Sequence, residues 1–164
     1  MMYNHVTYME HAARVLAHIG HSEQHKAFAI ASTAALFGLT QQLTDISFPA
    51  LIAVDDNSQK LSDFNSDNVI ITSYHSFAVL VSAGVNDAAS QQGAKEQAYI
   101  IAKNILARMF YHQRKRLYGL AQLQRNGITL MDVGPTLDSC YGCLVSFSLL
   151  ESSDINYNSE SWYE

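Results

Sequence analysis

The chain has little of what usually marks a specialised class. Two cysteines in 164 residues are too few for a disulfide framework. Two prolines and eight glycines exclude collagen-like and linker-type sequence. Charged residues make up 15% and apolar residues 48%, a balance that argues against a disordered chain. No apolar run approaches the ~20 residues a bilayer-spanning helix needs. MMYNHVTYMEHAARV has no basic stretch ahead of an apolar core, so no secretory signal is expected and synthesis in a cytoplasm is. There is no G-x-S-x-G elbow, no phosphate-binding glycine loop and no H-E-x-x-H, so neither an enzyme nor a cofactor is expected.

What is present is organised around one stretch. From Asp87 to Arg116 the apolar residues Ala94, Ala98, Ile101, Ala102, Ile105, Met109 and Phe110 recur at steps of three and four, as on a core-facing helix. Asn86, Asp87 and Ser90 can cap its first turn. Arg114, Lys115 and Arg116 suit the negative end of its dipole, and Gly119 is the expected stop. Between Lys95 and Arg125 lie seven bases and one acid, a local charge of +6. The whole chain carries −5, so the rest carries −11. The acidic total disfavours general nucleic-acid binding. Such a two-ended distribution bears on association more than on fold.

Elsewhere, Thr7 to Ile19 reads as a first helix ended by Gly20, followed by a turn at His21-Ser22-Glu23. Lys26 to Ala31 reads as a short strand and Thr33 to Thr44 as a short helix weakened by Gly38. Phe48 to Val54 suits a strand entered at Pro49. Asp55 to Asn68 reads as a polar loop. Val69 to Ser82 is longer than an ordinary strand, so it bends near Ser73 or projects as a ribbon. Ile128 to Val133 and Gly142 to Leu150 read as strands, with Gly134-Pro135 breaking the first. The connection PTLDSCY is longer than a tight hairpin prefers. The order predicts an α+β domain over residues 1–153, a mostly antiparallel sheet packed on the long helix with an N-terminal helix beside it. Residues 154–164 read as an acidic aromatic tail.

Three patterns resemble chemical sites. His11, His18, His21 and His25 would share a face only on an unbroken helix. Gly20 interrupts it, so capping or solvated histidines are expected over zinc ligands. Cys140-Tyr-Gly-Cys143 has redox spacing but leads into a strand, where residues three apart face opposite ways unless Gly142 makes a bulge. Asp63, Asn65 and Asp67 match the start of a calcium loop, but Asn68 and Tyr74 stand where its glycine and closing glutamate belong. Asx-rich turns account for that composition. No metal site is assigned. The residues assigned to contacts between copies or with partners are Lys103, Arg108, Arg114, Lys115 and Arg116, with Tyr157, Trp162 and Tyr163 of the tail. Unlike patches meet head-to-tail, closing a ring or growing a stack.

In its order of elements the chain resembles tail-terminator, or tail-completion, proteins of long-tailed bacteriophages. The resemblance spans residues 5 to 151, through VIITSYHSFAVLVSAG, SQQGAKEQAYIIAKNILARMF and SCYGCLVSFSLLE. It also resembles small proteins of prophage structural clusters through IGHSEQHKAF, FPALIAVDD and VGPTLDSCYGCLVSF. The resemblance implies a virion subunit, assembled in the bacterial host cytoplasm, that forms a homo-oligomeric ring, commonly hexameric. Such a ring sits at the head-proximal end of the tail, touches the tail-tube protein and a neck or head-closure protein, and has no membrane partner. Arg108, Arg114, Lys115 and Arg116 would then meet phosphates of passing genomic DNA. The family has no catalytic residues to carry over, and the tail from Asp154 to Glu164 departs from it. Two other readings stay open: a head-closure or connector protein of the same neck, and a cytoplasmic metal- or ligand-binding domain using the amino-terminal histidines.

Overall fold

The computed structural model describes residues 2–36, 45–63, 69–137 and 139–153. Helix α1 (His5–Val15) starts at Asn4, whose side chain accepts the Thr7 amide, one of the donors a first turn leaves unpaired. It ends four residues before the sequence-predicted stop, and Gly20 with φ +63° belongs to the turn beyond. Strand β1 (Phe28–Ala31), the single turn α2 (Thr33–Leu36), β2 (Ala50–Asp63) and β3 (Val69–Ser82) follow. Then come α3 (Ala88–Arg114), a 3-10 turn at Leu120–Gln122, β4 (Leu123–Thr136) and β5 (Cys140–Ser153).

The described strands form one sheet in the order β1-β2-β3-β5-β4. Only β1 and β2 run parallel; every other pair is antiparallel. The fold is therefore α+β, a mostly antiparallel sheet with the long helix α3 and the N-terminal helix α1 packed on it. Strand alternation sets the two sides. Leu51, Phe77, Val79, Cys143 and Val145 face α1 and α3, where Met9, Ala13, Ala98, Ile101, Ile105 and Met109 meet them. On the other side Ile52, Val54, Ala78, Leu80 and Leu144 form a smaller core with Ala35 and Leu36 of α2, and Ile46 and Phe48 pack against it.

Helix α3 matches its sequence signal closely. Six of the seven stripe residues are buried, Phe110 is half-buried, and Asp87 caps the start by accepting the Ser90 amide. Its end differs. Gly119 is not the stop; Arg116 takes the left-handed conformation at φ +54°, and Leu117 N–H returns to His112 O at 2.9 Å. This is a Schellman closure without its usual glycine. Gly119 (φ +75°) instead fits where a Cβ would strike the backbone of Tyr3.

Three expectations are corrected. Asp55 to Asp63 is strand, not loop, and β2 pairs with β3 out to Asp63↔Val69 across a register shift between Val54 and Ser58. Its side chains from Asp55 to Leu61 are all exposed, so no buried alternation marked it. Gly134-Pro135 does not end β4, which passes through a cis peptide and a register shift to pair Thr136 with Cys140. β4 and β5 consequently pair as a hairpin up to Thr136↔Cys140, which the longer apparent connection had argued against. Residues 64–68, the later part of the predicted second helix, and the tail with Tyr157, Trp162 and Tyr163 lie outside the described residues.

Candidate functional site

The sheet outlasts its helical cover. Ser58 to Leu61 of β2 are exposed, Val69 to Thr72 of β3 are half-buried, and none of these residues joins either core. β5 stays paired with β3 out to Ser153. The result is a three-stranded end; a ribbon is one of the two expectations for Val69–Ser82, the other being a bend near Ser73. Leu61 is 57% exposed there. Two long backbone edges are also left without a neighbouring strand among the described residues: β4 along its length, and β2 beyond the short strand β1. Edges of this kind are templates for strand addition.

At the root of this end lies a network that sequence reading missed. The Ser76 carbonyl can only accept, so His5 Nε2 donates to it (2.7 Å), and His5 Nδ1 takes the Tyr3 hydroxyl (3.1 Å). The His5 ring stacks on His75 with centroids 5.1 Å apart, and Tyr3 and Phe147 close the cluster edge-on and tilted. His75 Nδ1 donates to Asn57 Oδ1 (3.0 Å), leaving Nε2 beside Ser73 Oγ (3.3 Å). Ser73 Oγ also lies 3.5 Å from Glu151 Oε1. Burial, then the neighbouring His75, pushes His5 down to about 4, and burial lowers His75 as well. Both rings are thus held neutral. A Ser-His-Asn chain has the residue types of a nucleophilic triad, but Ser73 is 3% exposed within a strand paired on both sides. A substrate carbonyl has no path to it. The available signal was a histidine inside the apolar run of β3; its partners lie too far away in sequence for periodicity to join them.

A second cluster ties α1 to the end of α3. Tyr8 Oη and His112 Nδ1 are 2.9 Å apart, and Tyr118 packs edge-on against Tyr8 and stacks on His11. Burial lowers His112, with Arg108 and His11 adding to the effect.

The amino-terminal histidines make separate contacts. His11 stacks on Tyr118, while His21 accepts the Ala27 amide at Nδ1. Among the described residues no three metal-ligating side chains converge. Asp63 closes β2, and its calcium-loop partners Asn65 and Asp67 lie outside the described residues. Cys140 and Cys143 are buried on opposite faces of β5, whose register with β3 runs unbroken past Gly142. Burial pushes the Cys143 thiol up to about 11, the reverse of what a redox catalyst requires.

The basic segment is not one stripe. Lys95 is spent on Asp132 (3.1 Å), and Arg125 lies over the Phe110 ring while donating to Gln113 Oε1 (2.7 Å). Lys103, Arg108, Arg114, Lys115 and Arg116 are all exposed. Lys103 shares an opening with Asp132 on the β4 side, whereas the charge of Arg108 acts on Tyr8 and His112 on the α1 side. Asp55 and Asp56 are exposed on β2, nearer the other edge of the sheet. Among the described residues no helix is long and apolar enough to cross a membrane. No family model matches the chain, and no curated protein or solved structure matches it at a significant level.

Proposed function

We propose that this chain is a virion structural protein that assembles head-to-tail into a ring at the head-proximal end of a phage tail, where it ends tube growth and joins tail to neck. The three-stranded end of the sheet, which joins neither core among the described residues, carries this reading. A sheet end that is exposed on β2 and half-buried on β3, with apolar residues on it, gains little for an isolated subunit, but it gains a partner's surface in an assembly. The open edges of β2 and β4 are different surfaces on opposite sides of the sheet. Contact between unlike surfaces repeats around a ring. Asp55 and Asp56 near one edge and Lys103 near the other supply opposite charge for the approach. The order of elements, which resembles that of tail terminators, points the same way.

The mass of the full chain by light scattering, over a range of protein and salt concentrations and with or without tail-tube protein, tests this. A closed oligomer that weakens with salt and caps tube growth is expected. Leu61→Lys, at an exposed position on the open edge, is expected to lower assembly while leaving the subunit folded. A strict monomer under every condition would overturn the proposal. Capture by a portal ring instead of the tube would move the chain to the connector reading.

A further inference from the structure

The sheet face turned away from α1 and α3 carries a hollow of about 300 Å³ where the smaller core ends. Strand register builds its floor. Ser76 stands opposite Ser146, while Tyr74 stands between Ser148 of β5 and Ser58 of β2. Residues two apart on a strand share a face, so Ser76 and Ser146 continue the rows of Ala78 and Leu144 out of that core. Beside them β4 bulges, its register with β5 shifting between Gln124 and Thr129. Within the bulge Gly127 (φ +91°) lines the hollow, with no atom within 4 Å of where a Cβ would stand. Asp56 of β2 also lines it, and one oxygen of its carboxylate accepts the Thr33 amide.

We propose that this hollow binds a neutral carbohydrate, with the Tyr74 ring as its platform, Asp56 accepting from its hydroxyls, and Ser58, Ser146 and Ser148 exchanging hydrogen bonds with it. The lining chemistry selects the class. No Lys or Arg lines the hollow, and the Asp56 carboxylate repels anions, so a phosphate or a nucleic acid has nothing to hold it. An apolar ligand would strip water from the hydroxyls and return no hydrogen bonds. A sugar returns them. Each serine hydroxyl can donate one hydrogen bond and accept two, and the Ser76–Ser146 contact (2.8 Å) uses only one donor of that pair. The hydroxyls of Ser58, Tyr74 and Ser148 have no protein partner among the described residues. The second Asp56 oxygen adds an ionised acceptor, whose hydrogen bonds are roughly twice as strong as neutral ones. Tyr74 is 43% exposed, and its apolar body with a polar tip matches the C–H face and hydroxyl edge of a sugar ring. The volume falls at the low end of the roughly 300–1,000 Å³ of ligand pockets, so it holds one ring of a glycan at a time. The hollow lies on a sheet face, and the proposal stands whether or not copies of the chain assemble.

Titration of the isotope-labelled full chain with maltose, cellobiose, lactose and diacetylchitobiose, followed by amide chemical shifts, tests this. At least one of these sugars is expected to bind with a Kd of about 1 mM or tighter, moving the amides of Tyr74, Ser76, Ser146 and Ser148. Tyr74→Ala removes the platform at an exposed position and should weaken binding at least about tenfold. Ser148→Val gives a second arm: valine suits a strand, yet it takes away a hydroxyl and fills the hollow, so binding should be lost. The spectra of the unliganded variants establish that each is folded. Failure of every sugar to move these amides at about ten times that concentration would overturn the proposal. So would shifts centred on another surface, or binding that survives unchanged in both folded variants. Glucose 6-phosphate binding as tightly as the neutral sugars would overturn it as well, by assigning the hollow to an anion.

Discussion

Acid should loosen this protein through His5 before its carboxylates are exhausted. The ring is 5% exposed, and both its nitrogens are committed, one to the Ser76 carbonyl and the other to the Tyr3 hydroxyl. Stacked His75 adds repulsion, and the Glu151 carboxylate lies beside Ser73 rather than beside His5. A proton on His5 Nδ1 must reverse the hydrogen bond from the Tyr3 hydroxyl, and the charge it brings is buried beside its neighbour His75. The pKa falls from 6.5 to about 4 on folding. Below about pH 6.5 the unfolded chain binds a proton that the folded chain refuses, so stability is complete above that value and drains away as pH drops toward 4. At about 1.4 kcal/mol per tenfold change in proton affinity, the loss from this one ring is about 3 kcal/mol. That is a large fraction of a typical domain's stability of about 5–15 kcal/mol. Burial lowers His75 and His112 too, so both add to the loss. Urea denaturation at a series of pH values between 7 and 4 measures the total. His5→Gln isolates the share of His5, because an amide can still donate to Ser76 but does not titrate. The variant should be less stable at pH 7 and lose about 3 kcal/mol less on going to pH 4. Parallel profiles for the two proteins would refute the account.

Three further outcomes follow from the packing. Gly142→Ala should cost at least about 3 kcal/mol or prevent folding, because the new Cβ would overlap the Val79 carbonyl in the middle of the sheet; the urea midpoint reads it. Asp87→Ala should cost about 1 kcal/mol by leaving the Ser90 amide without its cap, and a loss below the error of the same titration would show that water replaces the carboxylate. Iodoacetamide at pH 8 should label neither cysteine of the folded chain within the time it labels both in urea, since both are buried and the Cys143 thiol is held protonated; rapid native labelling would contradict that burial.

The elements that sequence made legible are those packed against a core. α3 announced itself because Ala94, Ala98, Ile101, Ala102, Ile105 and Met109 face one core, and β3 ends at the residues its run of strand-formers marked. The distal half of β2 hides because sheet pairing, not burial, holds Ser58 through Leu61 in place. Alternation disappears when neither face is covered. Gly134-Pro135 misled for a related reason: β4 is an edge strand, and a proline missing a donor is tolerated where no ladder needs it. Of the candidate interface, the exposed bases were legible as composition, but the diversion of Lys95 to Asp132 and Arg125 to Phe110 depends on β4 folding back beside α3. The His5–His75 pair joins residues seventy apart, beyond any local pattern.

The placement of β5 between β3 and β4 also constrains the order of events on the ribosome. When β4 has been synthesised, its future neighbour does not yet exist, so it has nothing to pair with. β1, β2 and β3 can already zip together and dock α1 and α3. The fourth strand must wait, bend back and enter the sheet with the fifth as a single closing hairpin. Until that moment the central strand shows the nascent-chain environment a bare apolar flank, and this is the interval in which a chaperone would be most useful.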